Sequence, residues 1–398
     1  MAWGVDGLFS DGLSGAWLHA RRVRAYLAIL ALVNVVSLGW LLLSLNGGID
    51  PQGRLLGTDF VSFWAAGTVV HAGASPYDPA IHAAAERMVW PGQSGYTAFF
   101  YPPIFLLWCW LLGLAGYFPA LASWLVLTGG AWMAAVRGWS RQAGILPVLA
   151  FPPVLITLTH GQTSFLLAAL LGGSVLMAVR GQAALAGVLF GLAAFKPQFG
   201  VLVPIVLLAA RQWRIIGWAV ATVATSALLA SLMFGYGIWA EWLAVSGPAQ
   251  QAMAQGAIGF GKMQSLFAAM RLLGFGTALA YGAQAALALL VAAMLAHSAW
   301  REGLTRQVGA AMLTGALLVT PFVLDYDFLL LAFPLVVLSD STRRPWGRTV
   351  AAIAFAMPAF ARPLGTMLGV PIAPIIVLAV FLLLVRRVPE GRKDLACA

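Results

Sequence analysis

Asp59 is the residue of this chain best suited to chemistry at a membrane. It stands in the run GTDFVSFW, residues 57–64, directly after the first apolar stretch of a chain that is 61% hydrophobic. A carboxylate at the edge of a bilayer, in an aromatic-rich segment, is a candidate general base for a reaction at the membrane surface. The alternative is a loop acid or a helix N-cap, because Thr58-Asp59 precedes a segment with helical spacing.

The lysines are also informative because the chain has so few of them, at positions 196, 262 and 393. Lys196 lies in AFKPQ (194–198) between two apolar runs, and Lys262 lies in GFGKMQS (259–265). A cation beside a break in a membrane helix suits an anionic group, to which free N–H groups at a helix start add. Arg271 follows Lys262 by about two helical turns. Snorkelling or anchoring at the interface is the alternative for these cations.

Three further motifs offer polar groups. HGQTS (160–164) places Gln162 at a second break, where it suits recognition of hydroxyl groups or capping of a helix. Asp325-Tyr326-Asp327 could bind a cation, position sugar hydroxyls, or form a short turn. Asp78 in PYDP (76–79) has the context of a turn acid.

Other chemistries lack their motifs. The sequence has no nucleotide-binding loop, no zinc-ligand spacing and no serine-hydrolase elbow, so we predict no cofactor and no metal. The net charge of +10 falls mainly on arginines in short loops, where it sets membrane topology. We therefore expect no nucleic-acid partner.

The elements that must position these residues are membrane helices. Charged residues make up 9% of the chain, against about 25% in soluble domains. Apolar segments of about 15–22 residues alternate with short polar turns, which predicts an all-α, polytopic helical bundle. The predicted spans are 25–45, 101–116, 119–136, 144–159, 163–179, 183–195, 198–210, 215–234, 276–297, 307–323, 327–339, 347–361 and 370–386.

The arginines orient this bundle. Arg21, Arg22 and Arg24 predict a cytoplasmic N-terminal tail (1–24), and the basic residues near 386–393 predict a cytoplasmic C-terminal tail (387–398). Further cytoplasmic turns are expected at Arg180, Arg211/Arg214, Arg301/Arg306 and Arg343/Arg344/Arg348. A single domain, 25–386, lies between the tails. Two segments within it are predicted to face outward: the first long loop, 46–100, and the second long loop, 235–275.

Thirteen spans cannot join two cytoplasmic ends, so we predict about twelve crossings. One segment between 101 and 195 is then re-entrant, or two neighbours form one broken helix, with Pro152-Pro153 and 160–162 as the expected breaks. The first long loop is expected to contain two short amphipathic helices on the outer leaflet. Glu86 and Arg87 are expected on the solvated face of the second.

Several motifs together resemble glycosyltransferase family 87, also called the domain-of-unknown-function 2029 family, of the C-type (GT-C) membrane glycosyltransferases. In chain order they are DF (59–60) with WAAG (64–67), PYD (76–78), FYPP (100–103), GQTS (161–164), FKPQ (195–198), KMQS (262–265), and TP (320–321) with DYD (325–327). Each is short, and their order over about 59–330 carries the resemblance.

The resemblance implies inverting transfer of a hexosyl or pentosyl group from a polyprenyl-phosphate donor to a hydroxyl of a lipid or envelope glycan. The implied location is the outer face of the bacterial inner membrane, with Asp59 as the base. Donor phosphate binding falls to Lys196, Lys262 and Arg271. Sugar or acceptor binding falls to Gln162, Gln198, Gln264, Asp325, Tyr326, Asp327, Tyr101 and Asp78. Some mannosyltransferase members carry a Trp-Asp-His-His motif where this chain has Asp325-Tyr326-Asp327, so a catalytic histidine is not carried over, and a mannose donor is not implied.

Two other functions remain open from the sequence. A transporter or flippase of a lipid-linked or small polar solute would use Lys196 and the Asp325/Asp327 pair as its transport site. A membrane scaffold without chemistry would need none of them. The long first loop favours the enzyme, because transporters rarely build long interfacial segments on one side only.

Overall fold

The computed structural model describes residues 18–93, 95–140, 144–340 and 346–386, and this part of the chain is helical, with two isolated β-bridges and no strand. The all-α prediction is therefore confirmed for these residues. Residues 1–17 of the predicted N-terminal tail (1–24), the predicted C-terminal tail (387–398), and the arginines at 343 and 344 lie outside them. The α-helices are α1 Ala20–Ser44, α2 Phe60–His71, α3 Pro79–Arg87, α4 Leu106–Leu112, α5 Tyr117–Trp139, α6 Ile145–Ala150, α7 Pro152–His160, α8 Ser164–Val179, α9 Ala183–Leu192, α10 Pro197–Gly200, α11 Leu202–Ala209, α12 Trp213–Phe234, α13 Ile238–Ala254, α14 Leu266–Leu272, α15 Thr277–Glu302, α16 Arg306–Val319, α17 Ala332–Asp340, α18 Gly347–Leu368 and α19 Ala373–Val385. Short 3₁₀ segments occupy Pro103–Phe105, Ala193–Phe195 and Asp325–Leu331.

Five helices are long and apolar enough to cross a bilayer: α1, α5, α12, α15 and α18. At 1.5 Å of rise per residue, about 20 residues span the hydrocarbon core. Shorter apolar segments of 10–17 residues lie between them. These lengths support a polytopic membrane protein, while the count of about twelve crossings stays a prediction.

Proline and glycine end the helices at the predicted breaks. α6 ends at Ala150, and Pro152-Pro153 opens α7. Proline suits the first turn of a helix, because the N–H groups there have no partner within the helix and proline has no N–H. α7 ends at His160, and the next residue, Gly161, has a left-handed φ of 66°, a conformation that glycine adopts at no steric cost. Lys196 lies at a third break, where Pro197 starts α10. All three breaks were expected from the sequence.

The first long loop differs from the prediction. Nine of the 12 residues of α2 are buried, so the expectation of an amphipathic helix on the leaflet is wrong for α2. The reason is close packing on α4: a Cβ at Gly67 would lie 2.1 Å from the Cys109 carbonyl oxygen. Aromatic side chains at positions 60, 63 and 64 fill the space around α2.

α3 keeps an exposed face, but Glu86 is on its buried side and is fully enclosed. Its carboxylate accepts a hydrogen bond from the Thr97 N–H at 2.8 Å and lies 3.5 Å from His82 Nε2. The expectation that Glu86 faces solvent is therefore wrong, because the returning segment at Thr97 covers it. Arg87 is exposed, as expected.

The second long loop packs on the first and on the turn at 321–327. Trp242 Nε1 in α13 donates to the Phe100 carbonyl at 3.1 Å, and Ser75 bonds Glu241. The Gln264 N–H donates to the Val323 carbonyl at 2.8 Å. The second long loop therefore contacts both the first loop and the turn that leads into the 3₁₀ segment with the two acids of the DYD motif.

Candidate active site

Asp59 stands at the start of α2 without capping it. Its backbone N–H donates to the His160 carbonyl at 3.0 Å, and its side chain bonds none of the N–H groups of α2. Oδ2 accepts a hydrogen bond from Gln162 Nε2 at 2.8 Å. Oδ1 has no partner among the described residues, and Asp59 is half-buried. One carboxylate oxygen is thus held while the other is open.

Gln162 is oriented toward Asp59 because its side-chain carbonyl oxygen accepts three hydrogen bonds. Oε1 accepts from the Tyr101 hydroxyl at 2.9 Å, from the Thr163 N–H at 2.7 Å and from the Thr163 hydroxyl at 3.0 Å. An amide oxygen surrounded by donors leaves the NH₂ group to face the carboxylate. Gln162 and Tyr101, which were predicted to contact sugar or acceptor, therefore hold Asp59 in place.

Lys196 and Asp327 form a buried ion pair. Lys196 Nζ lies 3.2 Å from Asp327 Oδ1, and the two side chains are 7% and 4% exposed. Asp327 Oδ2 accepts from the Leu324 N–H at 3.0 Å. The ammonium also lies 5.4 Å from the ring centroid of Tyr326 and 5.7 Å from that of Phe199. A buried pair needs such extra partners, because removing either charge leaves the other desolvated and uncompensated.

Asp325 pairs with a residue that the sequence analysis missed. Arg362 Nη1 in α18 lies 3.3 Å from Asp325 Oδ2, and Oδ1 accepts from the Tyr326 N–H at 3.1 Å. The Arg362 side chain is 35% exposed. Arg362 directly follows the predicted span 347–361, at the end predicted to face outward. An arginine there is an exception to the positive-inside rule, and this exception could have identified Arg362 from the sequence.

Burial raises the pKa of Asp59, which lies outside the five long helices, above its ordinary value. His160, the hydrogen bond from Gln162, and the Lys196 charge act in the opposite direction, and the Asp325 charge adds to the increase. A raised pKa makes a carboxylate a stronger base.

The residues around this carboxylate and the two ion pairs are named the Asp59 cluster: Asp59, Gln162, Lys196, Asp325, Asp327 and Arg362.

The other predicted site residues have separate surroundings. Arg271 Nη1 donates to the Phe275 carbonyl at 2.8 Å, and its guanidinium lies 5.0 Å from the Phe260 ring centroid. Asp78 is exposed and caps α3, accepting from the Ala80 N–H at 2.8 Å and from the Ile81 N–H at 3.1 Å. Neither contacts the Asp59 cluster.

Lys262 is exposed, on the segment that precedes α14. Gln264 is buried there, with Nε2 donating to the Lys262 carbonyl at 3.2 Å. Gln198 is half-buried in α10, and Tyr326 is buried beside Lys196. Within the described ranges, no group of three or more metal-ligating side chains is assembled.

A family model described as Glycosyltransferase family 87 matches residues 99–321, which is more than half of the chain. The matched range includes Tyr101, Gln162 and Lys196, and it ends just before the DYD motif. Asp59 precedes it, and Arg362 follows it. No match was found among curated proteins or among solved structures.

Proposed function

From the membership of this chain in glycosyltransferase family 87, we propose that it transfers a sugar from a polyprenyl-phosphate donor to a hydroxyl group of a lipid or glycan acceptor. Family membership makes the protein a membrane glycosyltransferase. It favours the enzyme over the transporter and scaffold hypotheses. The donor class, the acceptor and the side of the membrane are the proposal.

The geometry of Asp59 supports the proposed base. Oδ2 is held by Gln162, and Oδ1 is open on a half-buried side chain. In the reaction Oδ1 takes the proton of the acceptor hydroxyl as its oxygen bonds the anomeric carbon of the donor. The bond from that carbon to the phosphate oxygen breaks, and polyprenyl phosphate leaves with the electron pair. A single displacement of this kind inverts the anomeric configuration.

The membrane location of the cluster suits a lipid-linked donor. A polyprenyl tail remains in the bilayer, so the reacting carbon of its sugar stays near the membrane surface. The leaving phosphate is stabilised by preorganised cations. Asp59 follows α1, a helix of 25 residues whose N-terminal end carries Arg21, Arg22 and Arg24. If α1 crosses with its basic end in the cytoplasm, the cluster faces outward.

The test uses purified full-length protein in nanodiscs with a panel of polyprenyl-phosphate hexoses and pentoses and an acceptor lipid extract. We expect glycosylated lipid and free polyprenyl phosphate to form together, with the anomeric configuration inverted by NMR. Lipid and glycan profiles of a deletion strain identify the acceptor. Transfer from nucleotide sugars alone would contradict the donor class, and retention of configuration would contradict the single displacement.

A further inference from the structure

We infer that Arg362 and Lys262, rather than the buried Lys196, bind the phosphate group of the donor. This inference rests on the proposed function and assigns its phosphate site to named residues. It replaces two of the three cations that the sequence suggested, and it adds one from α18, outside the range matched by the family model.

The Lys196 ammonium already forms an ion pair with Asp327. Its ammonium bonds Asp327 at 3.2 Å, and aromatic rings lie beside it at 5.4 and 5.7 Å. With 7% of the side chain exposed, the Lys196 ammonium is enclosed, and a phosphate that displaced Asp327 would leave that carboxylate buried without its cation. Arg271 is directed to the Phe275 carbonyl and the Phe260 ring instead.

Arg362 has the opposite properties. A guanidinium carries five N–H donors, and Arg362 uses one contact, to Asp325 at 3.3 Å. The side chain is 35% exposed, so its remaining donors can reach a ligand at the cluster. The planar fork of arginine matches the geometry of a phosphate and can bind it through two parallel hydrogen bonds. Asp325, itself fixed by the Tyr326 N–H, orients that fork.

Lys262 is brought to the same end of α18 by a backbone contact between two glycines. A Cβ at Gly261 would lie 2.7 Å from the Gly365 carbonyl oxygen, and one at Gly365 would lie 2.5 Å from the Gly261 carbonyl oxygen. Gly365 is about one helical turn after Arg362, and Lys262 follows Gly261. The Lys262 ammonium is exposed and has no partner in the described part of the chain. The exposed Lys262 and the partly exposed Arg362, which keeps one contact to Asp325, thus lie on touching segments.

The experiment measures binding of undecaprenyl monophosphate, and of undecaprenol as its uncharged counterpart, to the full chain in phosphatidylcholine nanodiscs. We expect Arg362→Gln to weaken binding of the phosphate by roughly 10- to 100-fold, as for loss of charge-assisted hydrogen bonds, and to leave undecaprenol binding unchanged. Lys262→Gln should weaken it less, with a difference that shrinks as salt rises, because its charge is exposed.

Arg348→Gln is the matched control. It removes the same charge from the first turn of α18, about 20 Å along the helix from Arg362, and should bind the phosphate like the wild type. Arg362→Lys keeps the charge without the fork and should give an intermediate affinity. It also tests the assignment if Arg362→Gln lowers the melting temperature.

Two outcomes would overturn the inference, and they are distinguishable. Wild-type affinity for the phosphate in both Arg362 variants would reject the assignment and leave the proposed function standing. A wild-type protein that binds undecaprenyl phosphate no better than undecaprenol would reject the donor class, and the phosphate site with it.

Discussion

The carboxylates of Asp59 and Asp78 both precede a helix, yet they do different things. Asp78 accepts two backbone N–H groups of α3, whereas Asp59 bonds the Gln162 side chain and no N–H group of α2. From the sequence both were candidate site residues, with a loop acid or helix cap as the alternative for Asp59 and a turn acid as the alternative for Asp78. The cap is found at Asp78, while the carboxylate of Asp59 remains available for proton transfer.

Asp59→Asn keeps the shape of the side chain and removes its ability to take a proton. We expect turnover to fall by about 10²–10⁴-fold, with the melting temperature nearly unchanged because no cap is lost. Turnover and thermal melts of the same preparation are the check. Near-normal turnover would show that Asp59 is not the base.

Asp78→Asn is the companion variant. Asparagine caps helices about as well as aspartate, so a cap role predicts near-wild-type stability and turnover. A clear rise in KM for the acceptor would instead support the binding role that the sequence suggested for Asp78.

Gln162→Leu should alter the pH profile as well as the rate. The hydrogen bond from Gln162 favours the charged carboxylate and so lowers the pKa of Asp59 against the effect of burial. Its removal should raise that pKa, so the acid limb of kcat/KM moves to higher pH. Tyr101→Phe should move it less in the same direction, because Tyr101 acts through Gln162. A higher KM with an unmoved acid limb would favour direct contact of Gln162 with substrate.

At the scale of elements, breaks between helices deliver the side chains of the Asp59 cluster. The α7–α8 break supplies Gln162 and the His160 carbonyl, and the α9–α10 break supplies Lys196. Irregular backbone at membrane depth is tolerated where it lines a cavity or is buried in protein. The site therefore depends on the geometry of a few turn residues.

Gly161→Ala should damage both stability and turnover. Gly161 has a φ of 66°, and a Cβ there would lie 2.5 Å from Phe60 Cβ and 2.9 Å from Leu121 Cδ1. The left-handed backbone costs about 1–2 kcal/mol and overpacking about 1–3 kcal/mol more. Gly181, with a φ of 76° and open space around it, is the matched control, and Gly181→Ala should show only the backbone cost. Denaturation and turnover of both variants are compared, and equal losses would contradict a packing role for Gly161.

At the scale of the whole molecule, α1 connects the basic start of the described chain to the first long loop. It is an apolar helix with most of its surface exposed, as expected for a helix that faces lipid. Its direction across the membrane therefore determines the side on which the Asp59 cluster lies.

Cysteine labelling in intact cells tests that direction. Cys109 is buried, and both native cysteines are replaced by alanine. We expect Gln52→Cys, on the first long loop, to react with a membrane-impermeant maleimide from outside. Arg214→Cys, in the first turn of α12, should react only after permeabilisation. Protection of Gln52→Cys in intact cells would contradict the outward orientation.

The sequence alone determined the class of the protein and the positions of its breaks. Hydropathy is a local property, so it identifies membrane helices without knowledge of their neighbours, and proline and glycine stop a helix through their own backbone chemistry. Five of the six residues of the Asp59 cluster were candidate site residues from the sequence: Asp59, Gln162, Lys196, Asp325 and Asp327.

Only the tertiary structure decided how these residues pair. Lys196 and Asp327 are 131 residues apart, and Gln162 and Asp59 are 103 apart, so no periodicity relates the partners. For the same reason the sequence led us to place α2 and Glu86 at the surface and to overlook Arg362. Burial and charge pairing depend on which segments the fold brings into contact, and that is a property of the assembled bundle.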